Sequence, residues 1–133
     1  MLTNLLIKLT EGKRTDIMLG GYKVKLYIVS SSNKEKYEGN IKTILNTVSS
    51  NIKKYIKFIS TSLYPDYKKY YLKGEPLSKE VLEKTLKPEY ISIHRDGGVT
   101  LSFYDDGKFF RGHIIDLVLT PKLAPEGAPS LQG

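Results

Sequence analysis

The sequence predicts an α+β fold: an antiparallel sheet of about six strands, formed by an N-terminal hairpin plus a C-terminal meander, packed against a long central helix and one or two shorter helices. Three observations predict it. Gly20-Gly21 separates two short strand-like runs. Apolar residues recur every three or four positions from Ile41 to Leu63. Strand-like alternation then returns after residue 90, broken by Gly-containing turns. Strands, then helices, then strands is the order of proteins whose helices gather on one face of an antiparallel sheet.

Residues 3–9 read as a first strand, with Glu11-Gly12-Lys13 as a turn. Runs 16–19 and 22–29 flank Gly20-Gly21, and a two-residue hairpin turn of this kind needs positive φ at both positions, which glycine supplies without strain. In the second run Tyr22, Val24, Leu26 and Ile28 alternate with Lys23, Lys25 and Tyr27, the period-two pattern of a half-buried strand with a basic outer face. Residues 30–33 form a polar loop. Ile41, Ile44, Leu45, Val48, Ile52, Tyr55, Ile56, Ile59 and Leu63 then mark one stripe of a long amphipathic helix that starts near Asn33 or Asn40. Pro65 is expected to end it, because the residue before a proline is pushed out of helical geometry. A short helix over 66–72 follows. Ser78 is placed to cap another helix with Glu80 in its first turn, Leu77 and Leu82 forming a staple, and Glu80–Lys84 and Glu83–Lys87 spaced as ion pairs. Pro88 stops it. Strands are expected at 90–94, 99–104 and 108–120, with a bulge at Ile114-Ile115 where the alternation slips. Residues 121–133 carry three of the six prolines and read as an irregular C-terminal arm.

A chain of 133 residues with 40% hydrophobic and 26% charged residues suits one folded domain, 1–133, with one core. Cysteine is absent, which removes disulfides, thiolate nucleophiles and thiolate metal sites. Lack of disulfide staples favours a reducing compartment. The opening apolar run is too short for a signal peptide core, and no stretch approaches the roughly 18 apolar residues of a membrane span. The expectation is a cytoplasmic protein with no membrane partner.

Catalytic signals are weak. His94 and His113 lie on separate expected strands, and a metal site needs three or four converging ligands. A His–His–Asp site with Asp105, Asp106 or Asp116 is less well supported than a pair of strand histidines and turn aspartates. Asp105-Asp106 followed by Gly107 fits a hairpin turn better than a general acid/base pair. No nucleophile elbow or phosphate-binding glycine loop is present. The reading is a protein that is not an enzyme and takes no cofactor or metal.

The net charge is +7, and it is unevenly placed. Segment 53–73 holds Lys53, Lys54, Lys57, Lys68, Lys69 and Lys73 against the single acid Asp66, interleaved with Tyr55, Tyr64, Tyr67, Tyr70 and Tyr71. Tyr55 falls on the apolar stripe and belongs to the core. Basic side chains among aromatics suit an acidic protein surface or single-stranded nucleic acid. Solubility alone also accounts for a lysine-rich helix face. With only three arginines, base readout and bidentate phosphate grip are poorly served. Lys53, Lys57, Lys68, Lys69 and Lys73 are the candidate electrostatic contacts, and Tyr67 and Tyr70 the candidate anchors.

The stretch from 90 onward is the most distinctive: Tyr90-Ile91-Ser92-Ile93, Asp96-Gly97, Leu101-Ser102-Phe103-Tyr104-Asp105-Asp106-Gly107, then Phe110-Arg111-Gly112-His113-Ile114-Ile115. It resembles an uncharacterised bacterial family whose members run Ser-Ile-Ser-Phe-Tyr, Asp-Gly, Tyr-Asp-Asp-Gly, Leu-Phe-Trp-Gly-His-Ser-Ile. Arg111 stands where that pattern has Trp, and Ile114 where it has Ser. The layout of hairpin, long helix and capped helix is similar as well. Small bacterial proteins of this kind resemble immunity proteins of polymorphic-toxin and contact-dependent growth inhibition systems. The resemblance implies binding to a cognate toxin domain, here one with an acidic face, with occlusion of its active site or substrate channel. A nucleic-acid-binding module is the alternative. Residues 105–113 are read as mainly structural.

Overall fold

The computed structural model describes residues 14–29 and 34–132. Six strands form one sheet in sequence order: β1 (Arg14–Leu19), β2 (Tyr22–Ile28), β3 (Lys87–Ile93), β4 (Val99–Tyr104), β5 (Ile114–Leu119) and β6 (Ser130–Gln132). Between β2 and β3 run α1 (Lys34–Asp66), a π-helical turn (Tyr67–Tyr71) and α2 (Lys79–Thr85). The α+β expectation holds. The strand expected at 3–9, its following turn and the 30–33 loop lie outside the described residues.

The sheet is antiparallel except at one join. β2 and β3 run parallel, with Leu26 opposite Ile91 and Ile28 opposite Ile93. The six-stranded sheet is thus mostly antiparallel, with this one parallel join. Parallel neighbours need a long crossover, and the helical segment between these strands supplies it. The hairpin and the meander are therefore stitched together beneath α1.

Alternation puts Ile17, Leu19, Val24, Leu26, Ile28, Ile91, Ile93, Val99, Leu101, Phe103, Ile115, Leu117 and Leu119 in the core. The helix stripe from Ile41 to Leu63, Tyr55 included, is buried with them. Tyr55 is an amphipathic exception in an aliphatic layer, and its hydroxyl donates to the Leu123 carbonyl at 2.8 Å. Burial raises its pKa above the ordinary tyrosine value by disfavouring the phenolate. The folded state thus holds this proton more tightly than the unfolded state. The contribution is complete below pH about 10 and is lost as pH rises from there through the folded pKa. Tyr55→Phe is expected to flatten the alkaline limb of a melting-temperature profile while costing about 1 kcal/mol near neutrality.

Gly20 and Gly21 both take positive φ, 57° and 86°, as the hairpin requires. Gly20 is constrained twice, because its N–H donates to Ser49 Oγ at 2.8 Å and an added Cβ would lie 2.7 Å from Ile52 Cγ2. Gly20→Ala is expected to destabilise by about 1–3 kcal/mol, read by denaturant unfolding. Gly21→Ala meets no neighbour and should cost less.

Pro65 does not end the helix, contrary to expectation. It sits inside α1, and the chain continues as the π turn to Tyr71 in place of a separate helix over 66–72. A mid-helix proline removes one hydrogen bond and crowds the previous turn. Packing of Leu63 and Tyr67 into the core holds the chain on course past it. Ser78 does cap α2, accepting from the Val81 N–H at 3.2 Å. Lys87 lies in β3 and pairs with Asp106 at 3.5 Å instead of Glu83.

Three corrections concern the C-terminal third. The last long strand begins at Ile114, because 105–113 form a compact loop, and the register shift lies at Pro88/Tyr90 and not at Ile114-Ile115. The arm is not irregular throughout, since Ser130–Gln132 pairs with β5 as β6.

Candidate functional site

The β4–β5 loop is organised by one carboxylate. Asp105 is fully buried. Its Oδ1 accepts from the Gly107 N–H at 2.9 Å, and its Oδ2 from the N–H groups of Phe109 and Phe110 at 3.1 and 3.0 Å. Three charge-assisted bonds close the loop onto itself. The closure drives Phe109 and Phe110 side by side into the core, which is why the expected alternation fails there. Asp106, Gly107, Arg111 and Gly112 all take positive φ. Asp105 thus has a structural role in this loop.

The π turn packs on the same loop. Tyr67 meets Phe109 at 4.6 Å between ring centroids, and Tyr71 meets Phe110 at 5.4 Å. Tyr67 also accepts from the Leu77 N–H at 2.9 Å, while Tyr64 donates to the Leu77 carbonyl at 2.8 Å. Two hydroxyls thus clamp one residue and hold 72–78 against the helix end. At 3% exposure Tyr67 is a core residue and not a surface anchor, a correction to the sequence reading. The stripe that buries Ile56, Ile59 and Leu63 simply continues through it.

Between these elements lies a cleft of about 270 Å³ lined by Tyr67, Tyr71, Lys73, Glu75, Leu77, Gly107, Lys108, Phe109 and Arg111. Aromatic and basic side chains line it, with Glu75 the one acid among them. The Arg111 guanidinium carbon lies 5.6 Å from the Tyr71 ring centroid, within cation–π range.

Lys53 and Lys57 sit elsewhere. They line an open groove of about 430 Å³ with Tyr22, Ile56, Glu83 and Lys84. Lys68 and Lys69 are exposed, with ammonium groups 5.8 Å from the Tyr64 ring and 5.2 Å from the Tyr70 ring. Tyr70 is 61% exposed, as a surface anchor must be. The structure therefore splits the predicted residues: Lys53 and Lys57 in the groove, Lys73 on the cleft, Tyr67 beneath it. Lys84, Lys108 and Arg111 join these surfaces and were missed. Their charge was visible in the sequence, but nothing there showed that 105–113 folds back against the helix end.

His94 bonds Thr100 Oγ1 at 2.8 Å, and His113 packs edge-on to Tyr71 with Nδ1 3.3 Å from the Gln132 carbonyl. Asp116 accepts from Ser102 at 2.6 Å. These contacts do not bring the two histidines and an aspartate to one point. Among the described residues no three His, Asp or Glu side chains group as metal ligands, and no helix is long and apolar enough to cross a membrane.

Comparison with known proteins adds no relative. No family model, curated protein or solved structure matches the chain.

Proposed function

We propose that this protein is an immunity-type inhibitor that binds an acidic face of a cognate toxin domain and blocks its active site or substrate channel. One observation carries the reading: exposed apolar residues and exposed cations gather at the end of the long helix. Tyr70, Leu72 and Leu77 are exposed there, beside Lys68, Lys69, Lys73, Lys108 and Arg111. Apolar anchors ringed by charge are the anatomy of a protein interface. Charge of one sign also speeds encounter with an oppositely charged partner. The groove with Lys53, Lys57 and Lys84 extends the basic character along the helix. The resemblance of the 90–115 segment to the bacterial signature supports the toxin as the class of partner, by analogy.

Co-expression tests the reading. A toxin domain encoded beside this gene should arrest growth alone and be neutralised by the wild-type protein. Arrest that persists at full expression of the folded protein would contradict it. Binding of single-stranded RNA with steep salt dependence, and of no protein, would favour the nucleic-acid module.

A further inference from the structure

We propose that the cleft between the π turn and the β4–β5 loop seats an acidic side chain on a loop of the partner, gripped by Arg111, Lys108 and Lys73. The inference rests on the protein-binding reading and names the chemistry of its central contact. Three independent features converge. First, the cleft is lined by three cations and one acid, Glu75, and among the described residues none of the three cations is ion-paired. A carboxylate is the group that this charge complements, and a guanidinium offers it a bidentate grip. Second, Arg111 holds φ 55°, a conformation natural to glycine, and a non-glycine residue kept there is typical of ligand clamps. Its guanidinium lies over the Tyr71 ring, which also lines the cleft. Third, one wall is a π-helical turn, an irregularity that recurs at functional sites. The volume accommodates a side chain and not a folded element.

The test titrates isotope-labelled protein with a blocked peptide of alternating glutamate and glycine, followed by amide chemical shifts. Saturable shifts are expected at Gly107, Lys108, Arg111 and Gly112. Arg111→Gly relieves the backbone strain, so it should fold at least as readily as wild type while weakening the peptide at least tenfold. Lys42→Gln, on an exposed position of α1, should leave binding unchanged. Shifts spread evenly over all lysines, or unchanged binding in folded Arg111→Gly, would overturn the proposal. So would a cleft that responds to oligouridylate and not to the acidic peptide. The two readings fail separately: a cleft that binds the peptide in a protein that neutralises no toxin sinks the proposed function alone. Full neutralisation by Arg111→Gly with Lys108→Gln sinks the cleft alone.

Discussion

Asp105→Ala is expected to lower the unfolding free energy by about 3–5 kcal/mol, since it leaves buried N–H donors without an acceptor. The Phe109 and Phe110 amides are buried and look to this carboxylate. The same change frees the loop that wedges both phenylalanines under Tyr67 and Tyr71. Against a typical total of about 5–15 kcal/mol this is a large fraction. Asp105→Asn keeps one carbonyl acceptor and should cost less, about 1–3 kcal/mol. Urea unfolding measures both. A loss under 1 kcal/mol for the alanine variant would mean that the loop is held by its phenylalanines alone. The neighbouring Asp106 is exposed and pairs with the exposed Lys87, so Asp106→Ala should shift stability by less than about 1 kcal/mol.

Reversing Lys53, Lys57, Lys73 and Lys108 to glutamate together is expected to weaken partner binding about 100-fold, or roughly 2.7 kcal/mol. All four are exposed, so the fold should tolerate the change. Most of the loss should come from slower association, because rim charges steer encounter more than they hold the complex. The wild-type rate should also fall as salt rises, since exposed charges are screened beyond about 8 Å at physiological ionic strength. Stopped-flow association at two salt concentrations reads both effects. A rate indifferent to salt and to the reversals would remove this surface from the interface.

Local pattern predicted the local elements well. The glycine pair marked the hairpin, the three-four spacing marked α1 down to Tyr55, and Ser78 marked the cap of α2. Each of these is set by backbone geometry or by one face of one element. Features set by tertiary contact were not legible. Pro65 argued for a helix end, yet core packing on both sides carries the chain through it as a π turn. The parallel join of β2 and β3 leaves no mark in either strand. Phe109 and Phe110 looked like the start of the last strand after a turn at Asp105-Asp106-Gly107, and only the bonds to Asp105 show that the loop takes them in. The candidate site was half legible for the same reason. Its lysines and Tyr70 could be picked from composition, whereas Tyr67 went to the core and Arg111 and Lys108 arrived from a distant loop.

The most direct test of the central claim is a paired affinity capture from the source cells, using wild type and the four-lysine reversal variant at moderate salt. The account predicts one stoichiometric protein on the wild type, with an acidic surface, and its loss from the variant. Equal recovery on both, or recovery of nucleic acid alone, would contradict it.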